Sequence, residues 1–188
     1  TLLHDDVIDE SLNRRGQPTA NNLWDNKSSV LVGDFLFARA FQLMVETGSL
    51  KILDSLSNAS AEISESEVLQ MSLAQNLSAS KNQYMQVIKG KTATLFASAC
   101  EVGGLISNAS CERIAALKLF GQALGISFQM VDDYLDYAGK KSNLGKNMSH
   151  MTRVAAAGAA AGPPAGAPAG AAAASAAAIA ATTAKAVI

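Results

Sequence analysis

Apolar residues recur at helical spacing along roughly the first three quarters of the chain. In residues 28–48, SSVLVGDFLFARAFQLMVETG, either Ser28 or Ser29 is a suitable N-terminal cap and Gly48 a suitable helix end. We therefore predict a long amphipathic helix over this segment. Comparable helical runs follow later in the chain, over residues 63–73, 82–104 and 108–137.

The distribution of glycine and proline supports this prediction. The third run ends at Gly103-Gly104, and Asn108 or Ser110 is suited to cap the fourth. No proline occurs between residues 19 and 162, and no Asn-Gly or Asp-Gly pair marks a β-hairpin. The sequence therefore predicts an all-α fold, a bundle of long helices around a central cavity.

Composition divides the chain into two parts. Apolar residues make up 49% of the sequence and the net charge is −1, values typical of a globular protein and not of a nucleic-acid-binding one. We predict a globular domain over residues 1–150 and a low-complexity tail of alanine, glycine and proline over 151–188. Prolines interrupt the tail, which argues against a transmembrane span there. Such a tail is either genuine or the product of a reading-frame error in GC-rich coding sequence.

The cysteines bear on localisation. Cys100 and Cys111 do not form a CxxC motif, so we expect buried, reduced thiols in a cytoplasmic protein.

One acidic motif occurs twice. Residues 5–9 read DDVID and residues 132–136 read DDYLD, and together they hold six of the nine aspartates in the chain. Aspartates at i and i+4 lie on one helix face, where their mutual repulsion is relieved by a divalent cation. A solvated acidic face is the alternative for one isolated copy, but the apolar flanks of both copies argue against it. Carboxylates beside a phosphate-bearing substrate suit Mg²⁺ better than Zn²⁺.

Two magnesium-binding clusters imply a diphosphate substrate, which in turn requires cations nearby. Arg14 and Arg15 follow the first cluster, and Lys146 follows the second. Lys89 and Lys91 flank a glycine between them. Arginine offers planar paired donors to phosphate and lysine a movable point charge.

These motifs resemble those of the trans-isoprenyl diphosphate synthases, in particular the long-chain polyprenyl group from octaprenyl to decaprenyl. The family's first DDxxD and the RRG after it match residues 5–16, and its KT pair matches Lys91-Thr92. Its QMxDDxxD motif matches residues 129–136, and the GK that follows matches Gly145-Lys146. The resemblance extends from residue 1 to about residue 147.

The resemblance implies a homodimeric, Mg²⁺-dependent prenyltransferase that condenses isopentenyl diphosphate head-to-tail onto an allylic diphosphate. The product would be a long all-trans polyprenyl diphosphate, a precursor of quinone side chains. The resemblance assigns metal binding to Asp5, Asp9, Asp132, Asp133 and Asp136. It assigns direct participation in catalysis to Asp5, Asp6, Asp9, Lys91, Asp132 and Asp133. Substrate binding falls to Arg14, Arg15, Lys91, Thr92, Gln129 and Lys146.

The resemblance also implies roles for apolar residues and for the released diphosphate. An apolar cavity keeps water from the allylic cation, and the departing diphosphate takes the proton that is lost. Phe35, Phe37 and Met44 are candidates to line a tunnel for the growing chain, although ordinary core packing is the stronger explanation for any single one of them.

The chain also departs from the family pattern. Helices that precede the first motif in the family, with their GGKxxR-type motif, are missing, as are the helices that follow GK. We therefore expect the chain to be a fragment. The position five residues before the first aspartate, which influences product length in the family, falls outside it.

Three alternatives remain at the level of sequence. A class I terpene cyclase shares the metal chemistry, but usually has a single DDxxD motif. A non-catalytic or regulatory subunit of a heteromeric synthase is the second, although such subunits tend to lose aspartates from one motif. A plain helical scaffold is the third, and it leaves the six clustered aspartates without a purpose.

Overall fold

A computed structural model describes residues 1–73 and 80–139, with the side chains of residues 136–139 left out. The described part is mostly helical, which confirms the predicted all-α class. It forms two compact units, the first comprising residues Thr1–Leu53 and the second beginning at Asp54. The predicted tail, residues 151–188, lies outside the described residues.

The first unit contains three helices and a short hairpin. Helix α1 spans Leu2–Ile8, the hairpin strands β1 and β2 span Asn13–Arg14 and Gln17–Pro18, helix α2 spans Ala20–Leu23 and helix α3 spans Asn26–Glu46. Helix α1 packs on α3 at a glycine. A Cβ on the buried Gly33 would collide with the imidazole of His4, which also contacts the Val30 carbonyl oxygen at 3.1 Å. Glycine therefore allows this close approach of the two helices.

The hairpin was missed by the sequence prediction. Its strands pair antiparallel, with Asn13 opposite Pro18 and Arg14 opposite Gln17. The two turn residues, Arg15 and Gly16, have φ angles of 50° and 77°. Two positive φ values are typical of the type I′ turn that joins short strands, and an Arg-Gly pair is an uncommon way to form it.

The ends of α3 confirm one prediction and correct another. Gly48 follows the helix with φ of 66°, so glycine does mark its end. The cap is neither Ser28 nor Ser29 but Asp25, whose carboxylate accepts a hydrogen bond from the Ser28 backbone nitrogen at 2.5 Å. A carboxylate is favoured at this end because it complements the helix dipole. Ser29 is buried inside the first turn.

The described residues of the second unit form helices with one π-helical interruption. Helix α4, Leu50–Leu73, begins in the first unit and continues into the second. Helix α5, Lys81–Ile88, leads into a π-helical segment, Lys89–Ala93, and then into helix α6, Thr94–Ile106. Helix α7 spans Cys111–Gly139. The predicted run over 82–104 is thus divided in two, and α6 continues two residues beyond Gly103-Gly104.

Caps explain where these helices begin. Ser80 and Gln83 form a reciprocal capping box at the start of α5. Ser110, one of the two predicted caps of α7, accepts a hydrogen bond from the Arg113 backbone nitrogen at 3.4 Å. Asn108, the other candidate, has a φ of 52° just after α6 and so belongs to the end of that helix.

Small residues set the packing of α7. Gly121 and Gly125 of α7 are buried where it meets α6 and the π-helical segment. A Cβ at Gly121 would collide with the Phe96 carbonyl, and one at Gly125 would lie 2.5 Å from the Ala93 Cα. Backbone therefore packs directly on backbone along this interface.

Several apolar side chains remain exposed on the described part. Phe35 and Phe37 of α3 are 66% and 46% exposed, so neither packs in a core here. Helix α3 and the Cys111–Leu135 part of α7 are also long and apolar enough to cross a membrane, judged by length and composition alone. Core helices of soluble proteins meet the same criterion. The cysteines differ from expectation too, because Cys111 is exposed and Cys100 only half-buried, although both are free thiols.

Candidate functional site

The first aspartate cluster is organised around a buried ion pair. Asp6, in the middle of α1, is 4% exposed. Its Oδ1 accepts hydrogen bonds from Arg14 Nε at 2.9 Å and from Arg14 Nη2 at 2.8 Å. The hydrogen bond to Asp6 is the largest effect and raises the pKa of the Arg14 guanidinium. Burial opposes it, the charges of Asp6, Asp5 and Asp9 add smaller increases, and the net shift of the pKa is upward. Arg14 therefore stays charged while it neutralises Asp6.

Polar side chains fix the loop that carries Arg14. The Thr19 hydroxyl, on a residue only 3% exposed, donates to the Ser11 carbonyl oxygen at 2.7 Å. Asn21 donates to the same oxygen at 3.2 Å, and Asn22 donates to the Leu12 carbonyl oxygen at 3.1 Å. These bonds tie the start of α2 to the segment just before β1, so the hairpin is held against the end of α1.

The other two aspartates of this cluster face outward. Asp5 is half-buried, and Asp9, at the C-terminal cap of α1, is exposed. They are four residues apart and so lie on the same side of the helix. Arg15 is exposed at the tip of the hairpin. The apolar flanks do not enclose the cluster in the described part, because Leu2 and Ile8 are 58% and 50% exposed.

The second cluster centres on Asp133, which is also 4% exposed. The Tyr84 hydroxyl of α5 donates to Asp133 Oδ2 at 2.7 Å, and Gln129 Nε2 donates to Asp133 Oδ1 at 3.1 Å. The Thr92 hydroxyl in turn donates to Gln129 Oε1 at 2.7 Å. Three predicted site residues, Thr92, Gln129 and Asp133, are thus joined in one hydrogen-bond network. Asp132 beside them is exposed.

Tyr84 is a member of this network that the sequence prediction missed. Burial, followed by the hydrogen bond and negative charge of Asp133, raises the pKa of the Tyr84 hydroxyl well above its ordinary value. The hydroxyl therefore remains a protonated donor at any physiological pH. A signal was present in the sequence: Tyr84 lies four residues before the apolar Ile88, on one face of the predicted helix, and a tyrosine hydroxyl on an apolar face needs a partner.

Lys91 forms an ion pair with Glu67, another residue that the sequence prediction missed. Its Nζ lies 2.8 Å from Glu67 Oε1, and the two side chains are 21% and 20% exposed. Gly90 makes this pairing possible, because a Cβ there would collide with the Ser66 hydroxyl on α4. Lys89, on the other side of the glycine, is exposed. The available signal was Glu67 itself, a carboxylate four residues after Ile63 in an apolar helical run.

The structure describes the remaining predicted site residues only in part. Lys146 lies outside the described residues, and of Asp136 only the helical backbone is described. No group of three or more histidine, cysteine, aspartate or glutamate side chains converges as a metal site within residues 1–73 and 80–135. The chemistry of the donors nevertheless fits magnesium, because Asp5, Asp9 and Asp132 present carboxylate oxygens at or near the surface. The predicted metal set draws on both clusters and stays a prediction.

Comparison with known proteins defines the class. The family model described as Polyprenyl synthetase matches residues 1–153, and therefore includes both aspartate clusters. The chain belongs to the polyprenyl synthetase family.

Among individual proteins, the chain is 47% identical over 148 residues to octaprenyl diphosphate synthase of Escherichia coli K12, covering 79% of this chain and 46% of that enzyme. It is 45% identical to the all-trans-nonaprenyl-diphosphate synthase (geranyl-diphosphate specific) of Rhodobacter capsulatus, covering 79% of this chain and 45% of that protein.

Solved structures agree with the sequence relatives. A decaprenyl diphosphate synthase from Rhodobacter capsulatus superposes with a TM-score of 0.73 at 60% identity, covering 79% of this chain and 46% of that one. A polyprenyl synthase from Caulobacter crescentus, solved with calcium and isoprenyl diphosphate, also gives 0.73, at 49% identity, covering 79% of this chain and 45% of that one. The chain spans about half the length of the relatives it matches.

Proposed function

We propose that the complete gene product is a prenyltransferase that condenses isopentenyl diphosphate onto an allylic diphosphate and makes a long-chain all-trans polyprenyl diphosphate. One observation carries the proposal: the region that matches the family contains two DDxxD clusters, each of which has one buried aspartate held by neighbouring side chains. Asp5, Asp9 and Asp132 retain carboxylates that reach the surface. Relatives named as octaprenyl and nonaprenyl diphosphate synthases support the long-chain product.

Each group of residues has a distinct task in this proposal. Asp5, Asp9, Asp132, Asp133 and Asp136 hold Mg²⁺, which when bound supplies positive charge to the diphosphate oxygens. Arg14, Arg15, Lys91, Thr92, Gln129 and Lys146 bind and orient the two diphosphates. Stabilising the leaving diphosphate favours ionisation of the allylic C–O bond, after which the isopentenyl double bond forms the new C–C bond.

Lys91 and Lys89 offer a matched pair for testing the cationic residues. Lys91 is held by Glu67, whereas Lys89 is exposed two residues away. Because a fixed ammonium contributes to binding and a mobile, solvated one contributes little, Lys91→Ala should raise the KM for the allylic diphosphate at least tenfold. Lys89→Ala should change it less than about twofold. Equal effects of the two substitutions would contradict the assignment of Lys91.

The activity itself is tested with the complete gene product, Mg²⁺, labelled isopentenyl diphosphate and farnesyl diphosphate, with products resolved by chain length. We expect elongation to long products, and loss of elongation when the metal is chelated. Asp9→Asn should lower the rate by at least tenfold without unfolding the protein, because Asp9 is exposed. A folded protein that elongates nothing would refute the proposal.

A second candidate follows from one relative. A protein of Geobacillus stearothermophilus named heptaprenyl diphosphate synthase component 2 is 36% identical over 146 residues. Its name describes a synthase built from more than one component. If the complete gene product folds but elongates only after a second polypeptide is added, the subunit hypothesis replaces the single-component one.

The assembly and location of the protein are part of the same proposal. We propose a cytoplasmic homodimer without a transmembrane span, in which α3 and α7 are core helices of the complete enzyme. Sedimentation of the complete gene product in detergent-free buffer tests both points, because a dimer in the soluble fraction is expected. Recovery only from membranes would contradict this assignment of α3 and α7.

A further inference from the structure

The Tyr84 ring packs against a buried apolar cluster in the described part of the second unit. That cluster is built on Leu73, Val87 and Ile88, which are 6%, 0% and 0% exposed, and Tyr84 packs against it. A ring held on apolar residues cannot swing freely, so the position of its hydroxyl is set by the core. The core thereby determines where one donor to Asp133 lies.

The second donor to Asp133 is the Gln129 side-chain amide, whose position is fixed by a hydrogen bond from Thr92. Gln129 Oε1 accepts from the Thr92 hydroxyl at 2.7 Å, which leaves its Nε2 to donate to Asp133 at 3.1 Å. Turning the amide over would place its oxygen against the carboxylate, two acceptors facing each other. The Asp133 carboxylate therefore excludes the reversed amide, and the hydrogen bond from Thr92 holds Gln129 in the orientation that donates.

Both Asp133 oxygens thus accept a hydrogen bond from a neutral donor with a determined position. A carboxylate with both oxygens engaged in hydrogen bonds has little freedom to rotate. In metal sites, residues that orient a ligand in this way influence metal affinity about tenfold to a hundredfold.

We propose that Tyr84 is a positioning residue: through its hydrogen bond it holds Asp133 in the orientation in which the second aspartate cluster binds metal and diphosphate. The inference rests on the proposed function, because it assigns Tyr84 to the metal cluster of that reaction. Tyr84 is not itself a ligand, and it acts through Asp133 alone.

The test uses the complete gene product and compares Tyr84→Phe with Tyr134→Phe. Both substitutions remove one phenolic hydroxyl, but Tyr134 is 67% exposed and lies beside Asp133. The probe is Mn²⁺ alone, with free ion measured by electron paramagnetic resonance. Tyr84→Phe should weaken Mn²⁺ binding about tenfold and lower kcat with little change in the KM for isopentenyl diphosphate. Tyr134→Phe should leave both within about twofold.

A double-mutant cycle shows whether Tyr84 acts through Asp133. If it does, Tyr84→Phe combined with Asp133→Asn binds Mn²⁺ no more weakly than Asp133→Asn alone. Additive losses, equal losses in the two tyrosine variants, or a wild-type protein that binds no Mn²⁺ would each overturn the inference. Circular dichroism of every variant confirms that binding is compared between folded proteins. Should Tyr84→Phe fail to fold, Thr92→Val, which removes the donor that orients Gln129, must weaken Mn²⁺ binding or the inference falls.

Different experimental results would refute the proposed function and the positioning role of Tyr84. A protein that elongates no substrate but shows Tyr84-dependent Mn²⁺ binding would refute the proposed function and support the role of Tyr84. A protein that elongates normally with Phe at position 84, and binds Mn²⁺ unchanged, would refute the role of Tyr84 alone.

Discussion

Gly125 lies where α7 crosses the π-helical segment, and its replacement by alanine tests whether this contact sets the geometry of the second cluster. A Cβ there would be 2.5 Å from Ala93 Cα and 3.0 Å from Ala93 Cβ. Carbon atoms in contact are normally about 3.5–4.0 Å apart, so α7 must move by about 1 Å. Gln129 is one turn further along α7, and its 2.7 Å bond with Thr92 would exceed hydrogen-bond length after such a shift.

Two opposing effects determine the change in stability. Overpacking a closely packed site costs about 1–3 kcal/mol, whereas replacing a helical glycine with alanine gains about 1 kcal/mol. Gly125→Ala should therefore lower the free energy of unfolding by up to about 2 kcal/mol. At about 2–4 °C per kcal/mol, the melting temperature falls by up to about 8 °C. Mn²⁺ binding should weaken in parallel, because Gln129 loses the contact that orients it.

Gly103 supplies the matched control. It lies within α6, is exposed, and has no atom within 4 Å of an added Cβ. Gly103→Ala should therefore raise the free energy of unfolding by about 0.5–1 kcal/mol and leave Mn²⁺ binding unchanged. Urea denaturation of both variants of the complete gene product gives the comparison. If Gly125→Ala stabilises the protein as much as Gly103→Ala, the reasoning from close backbone contact is refuted.

Two further predictions concern the ion pairs. Arg14→Gln leaves the buried Asp6 without its guanidinium and should cost up to about 3 kcal/mol, the lower end for breaking a buried pair, because the Arg14 side chain is 39% exposed. Arg15→Gln, at the exposed hairpin tip, should change the free energy of unfolding by less than about 0.5 kcal/mol. Equal losses of stability in the two arginine variants, measured by thermal melts, would contradict this prediction. At Glu101, burial raises the pKa, but hydrogen bonds from Ser55 at 2.7 Å and Lys118 at 2.9 Å together lower it below its ordinary value. The ionised form therefore stabilises the fold above about pH 4.3, and this contribution is lost as the pH falls through the lowered pKa. Glu101→Gln should cost about 1 kcal/mol at pH 7 and progressively less towards pH 3, whereas a difference independent of pH would disprove the linkage.

The helical architecture was predictable because its signals are local. Apolar spacing, the absence of proline and residues such as Gly48 and Ser110 act within one or two turns of chain. Asp25 was missed as a cap because Ser28 and Ser29 have the same preference, and the structure places both serines inside the helix that Asp25 caps. The hairpin was missed because its turn uses Arg-Gly and not the more frequent Asn-Gly or Asp-Gly.

The candidate site was predicted in its residue types but not in its connections. The aspartates, Lys91, Thr92 and Gln129 were identifiable because they stand in recurring motifs. Tyr84 and Asp133 are 49 residues apart, and Ser55 and Glu101 are 46 apart. No local pattern specifies such partners, because they depend on how glycines such as Gly90 and Gly125 let the helices approach. The sequence therefore indicates the chemistry, whereas packing decides which side chain restrains which.

The buried Asp6 has a consequence for the direction in which its neighbours point. Successive residues of an α-helix are rotated by roughly 100° about its axis, so Asp5 and Asp9 lie roughly 40° apart and both to the same side of Asp6. The ion pair with Arg14 fixes how far α1 is turned about its own axis, and with it the direction of the other two carboxylates. Arg14, eight residues away along the chain, therefore limits the rotation of α1 about its axis. Loss of the Asp6–Arg14 ion pair would redirect the carboxylates of Asp5 and Asp9 without altering either residue.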